Sequence, residues 1–261
     1  MATYLDGILL GHRVRAAADQ RDDAELRRQA EAAPAPRGFA AALRATEGLG
    51  VIAEVKRRSP SKGDLFADLD PATLARQYAE GGATCLSVLT DEEHFGGSAQ
   101  DLADARSACD LPVLSKDFTV SVHDVLDARI MGADCVLLIA AALDDDELAA
   151  FHRTATEVGV DALVEVHDER ELERALAVGA TLVGVNQRDL VTFEIDHERA
   201  LRMASQFPDH LVSVAESGVR GPDDAAALRD AGYDAVLVGE SLVTSGDPAA
   251  AVAALRGATT R

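Results

Sequence analysis

The feature that most constrains the fold is a repeated alternation of short apolar runs with longer segments of helical period. Eight such runs begin at residues 51, 85, 112, 135, 161, 182, 211 and 235, about 26 residues apart. This spacing is the length of one strand plus a crossover helix. The runs are apolar on both faces, which is typical of a parallel sheet covered by helices. The pattern therefore predicts an α/β fold, a single (β/α)8 TIM barrel over residues 51–261.

Helix-terminus signals agree with this division. Asp70 before Pro71, and likewise Ser121 and Asp144, are expected N-caps. Glycines such as Gly132 and Gly179 precede the next strand and are expected to end helices. An open dinucleotide-binding sheet is disfavoured, because no G-x-G-x-x-G follows the first strand.

Residues 1–50 lie outside the repeat. They contain two segments of helical character separated by the Pro-rich stretch 33–38. We interpret them as an N-terminal helical extension that packs on the barrel, without a separate domain.

Composition excludes several classes of partner. Lys+Arg number 25 against 45 Asp+Glu, a net charge of −20, which disfavours nucleic acid and anionic membranes as partners. The three cysteines are widely spaced and contain no C-x-x-C pair, as expected in a reducing cytoplasm. The longest apolar run, 135–143, is too short to cross a bilayer, and no signal peptide is evident. We expect a cytoplasmic protein, a monomer or a weak homo-oligomer.

Polar side chains follow six of the eight predicted strands, where the active site of such a barrel lies. The second and fourth strands end without comparable groups. We interpret His167, which follows the fifth strand, as an ordinary loop residue. The alternative to an active site is an inward ion-pair network that only fills the barrel top. The strand-end groups are Glu54, Lys56, Lys116, Glu165, Asn186, Arg188, Glu216 and Glu240.

These residue types favour acid–base chemistry on a phosphorylated small molecule. A lysine among carboxylates can act as a general acid, and a glutamate in a partly dry pocket can act as a base. Gly218 and Gly239, at the ends of the seventh and eighth strands, can expose backbone N–H groups to a phosphate. The seven histidines are scattered, without metal-binding spacing, and no P-loop is present. We therefore expect no metal and no cofactor.

Several motifs resemble those of the indole-3-glycerol phosphate synthase family, in order, over roughly residues 48–256. They are VIAEVKRRSPS, LTDEEHFGGS, PVLSKDF, ALVEVH, GVNQRDL, VAESGV and VLVGESL. The resemblance implies a carboxy-lyase of tryptophan biosynthesis. Its substrate is 1-(2-carboxyphenylamino)-1-deoxyribulose 5-phosphate, and it closes an indole ring with loss of carbon dioxide and water.

The resemblance also implies catalytic roles. Lys116 would be the general acid at the substrate carbonyl and Glu165 the general base. Glu54 would assist Glu165 or hold Lys116. Lys56 would bind the carboxylate or phosphate, or serve as the acid in the dehydration. Asn186 would position the substrate.

Further residues would bind the substrate. Arg188 would contact the hydroxyls and the anthranilate carboxylate, and Glu216 would contact hydroxyls. The phosphate would lie on Ser59, Ser217, Gly218, Gly239 and the backbone of Glu240. The aromatic pocket would be lined by Phe118, Leu137, Leu190 and Pro60.

Two other interpretations remain open. One is another phosphate-binding barrel, such as phosphoribosylanthranilate isomerase or the histidine-pathway isomerase, which use an Asp or Cys acid–base pair. The other is a non-catalytic barrel that serves as a scaffold.

Overall fold

A computed structural model describes residues 4–59, 63–66 and 68–257 and contains the predicted barrel. Eight parallel strands pair in chain order, and the last closes onto the first. This confirms the single (β/α)8 barrel. The barrel strands are β1 Gly50–Val55, β2 Cys85–Leu89, β3 Val113–Lys116, β4 Cys135–Ile139, β5 Asp161–Val166, β6 Leu182–Asn186, β7 Val212–Glu216 and β8 Ala235–Val238.

Helices surround the strands. A two-residue antiparallel pair, Arg58–Ser59 with Gly63–Asp64, follows β1. The α-helices are α1 Tyr4–Ala18, α2 Asp23–Ala32, α3 Phe39–Arg44, α4 Pro71–Glu80, α5 Glu92–Phe95, α6 Ala99–Ala108, α7 Val122–Ile130, α8 Asp145–Glu157, α9 Glu169–Ala177, α10 Arg199–Met203, α11 Pro222–Asp230, α12 Glu240–Val243 and α13 Pro248–Arg256.

The predicted helix caps are present. The Asp70 side chain accepts from the Thr73 N–H at 2.7 Å, and Ser121 caps α7 in the same way. Asp144 forms a complete capping box at the start of α8. Gly132 and Gly179 have φ of 94° and 81°, the left-handed conformation that a helix end requires.

The N-terminal extension contacts both ends of the barrel. Phe39 and Leu43 of α3 pack into the apolar cluster that fills the barrel interior and close its N-terminal end. At the opposite end, Tyr4, Leu5 and Ile8 of α1 line the mouth. The extension therefore contributes to stability at one end and to the shape of the candidate site at the other.

Side-chain alternation builds the interior in layers. In β1, Ile52 belongs to the interior cluster, whereas Val51 and Ala53 pack outward against helices. The next inward residue of β1, two positions further on, is Glu54. The corresponding residues of β3, β5 and β7 are also charged, so the four odd-numbered strands each supply one charged group to the layer nearest the mouth, where barrels usually place branched aliphatic residues. This charged layer consists of Glu54, Lys116, Glu165 and Glu216.

Within the described ranges, no helix is both long enough and apolar enough to cross a membrane.

Candidate active site

A cavity of about 580 Å³ opens at the C-terminal ends of the strands. It collects fifteen of the sixteen residues predicted for the site. Pro60, the remaining one, lies outside the described residues. Those that line the cavity are Glu54, Lys56, Ser59, Lys116, Phe118, Leu137, Glu165, Asn186, Arg188, Leu190, Glu216, Ser217, Gly218, Gly239 and Glu240.

Lys116 lies between two buried carboxylates at the floor of this cavity. Its Nζ donates to Glu165 Oε2 at 2.9 Å and to Glu216 Oε2 at 3.2 Å. Both glutamates are almost fully buried. Burial alone would lower the pKa of Lys116, but the charges of Glu165, Glu216 and Glu54 outweigh it and raise that pKa. The lysine is therefore held as a cation with a proton to give.

The two carboxylates beside Lys116 are not equivalent. Burial raises the pKa of Glu165. The charges of Lys116 and the nearby His167, together with a hydrogen bond from Asn186, outweigh burial and lower the pKa below its usual value, so Glu165 stays ionised. Burial raises the pKa of Glu216 to about 7, and the repulsion from Glu165 acts in the same direction. Glu216 Oε1 has no hydrogen-bond partner among the described residues. The single ammonium group therefore stabilises the charge of Glu165 more than that of Glu216.

Glu54 does not hold Lys116 directly, contrary to one of the two roles expected for it. Its Oε1 forms an ion pair with Lys56 Nζ. Glu54 lies on β1 and Lys56 directly follows it, two positions on, so both face inward, as alternation predicted. Lys56 is thereby fixed at the rim of the charged layer.

Asn186 connects Glu165 to Arg188. Its Nδ2 donates to Glu165 Oε1 at 3.0 Å, and its Oδ1 accepts from the backbone N–H of Arg188 at 3.0 Å. The Arg188 guanidinium donates to the carbonyl oxygen of Phe193 at 3.1 Å. Phe193 has φ of 60°, so this bond holds a strained loop residue beside the mouth.

Two glycines, one on β6 and one directly after β8, make room for the charged layer. A Cβ on Gly184 would lie 2.0 Å from Glu216 Oε1, and a Cβ on Gly239 would lie 2.3 Å from Glu54 Oε1. Gly239 was predicted for phosphate binding, whereas the role of Gly184 was missed. Its signal in the sequence is a glycine inside a strand, which marks a close approach.

One side of the cavity is suited to an anion. Ser217 and Gly218 follow β7 with φ of 65° and 77°, and both line the cavity; a turn of this kind can present backbone N–H groups to an anion. Gly239 and Glu240 begin the turn after β8, and Ser59 lines the same cavity. Arg220, which was not predicted, also lines it.

The other side is an apolar slot. Phe118, Leu137 and Leu190 line it as predicted, and Ile8 of α1 and Phe95 of α5 complete it. The rings of Phe95 and Phe118 lie 6.3 Å apart. Phe95 belongs to the LTDEEHFGGS motif, but its apolar role could not be assigned before the position of α5 was known.

The expectation that the second strand contributes little was wrong. Asp91 follows β2 and is buried. Its Oδ1 accepts from His94 N at 2.6 Å and caps α5, while its Oδ2 bonds His12 Nε2 at 2.9 Å. His12 belongs to α1, so Asp91 ties the extension to the helix that carries Phe95.

His12, Asp91 and Asp117 bring their ligand atoms within 4.8 Å of one another, the one such group among the described residues. The four carboxylate oxygens already accept from His12, His94, Thr90 and Phe118. We therefore assign this set a structural role and no metal.

His167 also differs from its prediction as an ordinary loop residue. Its side chain is largely buried, and its Nε2 lies 3.6 Å from Glu165 Oε1. Alternation along β5 explains this contact, because residues 165 and 167 share a face.

A buried lysine held between two glutamates, beside an apolar slot and an anion-binding turn, defines an acid–base enzyme of the barrel class that acts on a small molecule. Residues 7–255 match the family described as indole-3-glycerol phosphate synthase. The chain belongs to this family.

Named relatives are similar to this chain in sequence, and a solved structure is similar to it in fold. The chain is 58% identical to an indole-3-glycerol phosphate synthase of Nocardioides sp. over 80% of this chain and 81% of that protein. It is 51% identical to an indole-3-glycerol phosphate synthase of Mycolicibacterium vanbaalenii over 97% of this chain and 94% of that protein. A thiamine phosphate pyrophosphorylase from Pyrococcus furiosus has a TM-score of 0.62 at 17% identity, covering 80% of this chain and 95% of that one. That likeness concerns the fold alone.

Proposed function

We propose that this chain closes the indole ring of 1-(2-carboxyphenylamino)-1-deoxyribulose 5-phosphate, releasing carbon dioxide and water, with Lys116 as general acid and Glu165 as general base. Family membership supports the activity. The observation that carries the assignment of residues is the position of Lys116 Nζ, bonded to Glu165 and Glu216 and facing the cavity.

The cavity suits the two ends of this substrate. The aryl ring fits the slot formed by Phe95, Phe118 and Leu137, and the phosphate fits the turns at Gly218 and Gly239. The ketone between them then lies over the charged layer, which is where an acid is needed.

The order of events follows from the chemistry. The ring carbon that bears the carboxylate attacks the ketone, and Lys116 protonates the oxygen as it becomes a hydroxyl. The C–CO₂ bond breaks and its electron pair restores the aromatic ring. The hydroxyl then leaves as water with a second proton, while Glu165 takes a proton from the carbon next to nitrogen. A preorganised lysine favours the step at which negative charge develops on oxygen.

The isomerase alternative is less well supported. It requires an Asp or Cys acid–base pair, and among the described residues that line the cavity Asp117 is the one aspartate and no cysteine is present. Cys85 and Cys135 pack in the apolar interior below it. A scaffold is also disfavoured, because Lys116 and Glu165 are paired and buried at the cavity floor.

Indole fluorescence tests the activity directly. The chain contains no tryptophan. An indole signal that appears when the protein is mixed with the carboxyphenylamino substrate, without added metal, therefore arises from product. We expect a rising signal. A folded protein that gives none, but isomerises phosphoribosylanthranilate, would establish the rival activity instead.

Replacement of Lys116 tests the assigned acid. Lys116→Ala is expected to lower kcat by about 10²- to 10⁴-fold, the usual contribution of a general acid, while its circular dichroism stays that of the wild type. Near-normal turnover in this variant would show that the acid lies elsewhere.

A further inference from the structure

The proposed reaction consumes one proton per turnover, and the inference below rests on that function. Two protons are given to oxygen, one as the ketone becomes a hydroxyl and one as the hydroxyl leaves as water. Only one returns, from the carbon next to nitrogen. The carboxylate leaves as neutral carbon dioxide, so the balance must come from solvent. A buried acid such as Lys116 therefore needs a route by which it is reprotonated.

We propose that His167, held by Glu171, is the residue through which this proton reaches the charged layer, by way of Glu165. His167 acts through Glu165 and is a proton-relay and positioning residue, not one that touches substrate.

The contacts of His167 define an inner and an outer end. The outer nitrogen, Nδ1, donates to Glu171 Oε2 at 3.0 Å, and the backbone N–H of His167 donates to the same oxygen at 2.8 Å. A carboxylate is only an acceptor, so Nδ1 carries a proton. The inner nitrogen, Nε2, is buried without a hydrogen-bond partner among the described residues and lies 3.6 Å from Glu165 Oε1.

The exposed fractions of three side chains show which end of the proposed route is nearer to solvent. The side chain of His167 is 13% exposed and that of Glu171 is 17% exposed, whereas that of Glu165 is 1% exposed. The Glu171–His167 pair therefore reaches solvent at one end and the base at the other.

Glu165 connects the relay to the acid. Its Oε1 faces His167 and its Oε2 bonds Lys116 Nζ at 2.9 Å. After Lys116 has given up its proton, His167 transfers one from Nε2 to Glu165, and rotation of the carboxyl group presents it to the neutral amine. Nδ1 keeps the proton that it donates to Glu171, so the imidazole regains its second proton on Nε2, when the side chain turns this nitrogen toward solvent. No bond other than N–H and O–H is made or broken, so charge and atoms balance.

The surrounding charges suit this role. Burial lowers the pKa of His167, but the hydrogen bond to Glu171 and the charges of Glu171 and Glu165 raise it above its usual value, against the weaker effect of Arg199. These groups lie on α9, β5 and α10. These contacts thus favour the protonated form of the relay.

Removal of the imidazole tests the proposal. In His167→Ala, kcat is expected to fall about tenfold or more with KM little changed, and added imidazole is expected to restore it. Because the relay delivers a proton, restoration should follow the concentration of imidazolium and decline as pH rises through 7. Unchanged kcat, or a loss that no concentration of imidazole restores, would overturn the proposal. His152→Ala, a half-buried histidine of α8 outside the cavity, is the matched control and should show neither effect.

A second variant keeps the imidazole in place. Glu171→Gln removes a charge that raises the pKa of His167, so the alkaline decline of kcat should move to lower pH. Glu169→Gln, which removes an exposed carboxylate from the same helix, should leave the profile unchanged. An unmoved profile in Glu171→Gln would refute the relay even if His167→Ala did not fold.

Failure of the relay and failure of the proposed function are separable. Wild-type protein that makes no indole product defeats the function itself. Active wild type with unaffected His167 and Glu171 variants defeats only the relay.

Discussion

At the scale of single residues, the site depends on an excess of negative charge in one layer of the barrel. Glu54, Glu165 and Glu216 lie around Lys116, and Lys56 adds a second positive charge beside Glu54. Three buried carboxylates cannot all ionise at low cost beside so few cations. Glu216 Oε1 has no hydrogen-bond partner among the described residues, and burial raises the pKa of this carboxyl to about 7.

The titration of Glu216 is expected to appear in protein stability. Its pKa is raised from 4.5 to about 7 in the folded chain, so between these values the folded state binds more protons than the unfolded state. Its contribution to the free energy of unfolding is therefore full below pH 4.5 and declines as pH rises to 7. Glu216→Gln should remove this decline, which amounts to up to about 3 kcal/mol.

Urea unfolding at several pH values measures the effect as the difference between wild type and variant. If the free energy of unfolding depends on pH in the same way in both proteins between pH 4.5 and 7, Glu216 is ionised over this range, like Glu165.

Which residues line the cavity could be predicted, but their pairing could not. Alternation fixes the inward direction of Glu54 and Lys56, and the barrel brings all strand ends to one mouth. The partner of each charge depends on the stagger between strands, which the local sequence does not encode. Hence the bonds of Lys116 to Glu165 and Glu216, and the role of Gly184 beside Glu216, emerged only from the structure.

At the scale of elements, the short helix α5 shows how the extension and the barrel shape the apolar slot together. Asp91 caps α5 and bonds His12 of α1, and α5 carries Phe95 into the slot. A four-residue helix has little stability of its own, so these bonds set the position of Phe95. Its brevity also explains why periodicity did not reveal it, whereas the longer α4, α7 and α8 were predictable from their caps.

Loss of the Asp91 cap should therefore affect binding as well as stability. Asp91→Ala is expected to cost about 1–2 kcal/mol of unfolding free energy and to raise KM, because Phe95 loses its support. Asp70→Ala removes an equivalent cap from α4, away from the cavity, and should lower stability without changing KM. Equal KM values in the two variants would show that the Asp91 cap of α5 does not affect substrate binding.

At the scale of the whole molecule, the two ends of the barrel differ in what their buried charges do. The mouth carries the charged layer, and the opposite end is held by buried Asp134. This carboxylate accepts from Arg37 N and Val113 N, both at 2.7 Å, and pairs with Arg106. It thereby joins the extension, β3 and α6 at the end remote from the site.

Weakening that junction should lower stability and spare catalysis. Asp134→Asn is expected to reduce the unfolding free energy by about 3 kcal/mol, as when a buried ion pair is broken, with kcat/KM of the folded protein unchanged. The exposed Asp110→Asn near the same end should change neither quantity. Altered kinetics in Asp134→Asn would show that the two ends are coupled.

The seam where β8 pairs with β1 also determines when the protein can become complete during its synthesis. Gly50 to Ala53 pair with residues 235 to 238, so the first barrel strand leaves the ribosome long before its partner exists. Until then both sheet edges are open, and unpaired edges invite association with other chains. The same late segment supplies Gly239, which makes room for Glu54. A nascent chain stalled before residue 235 would therefore lack both a closed sheet and a finished site.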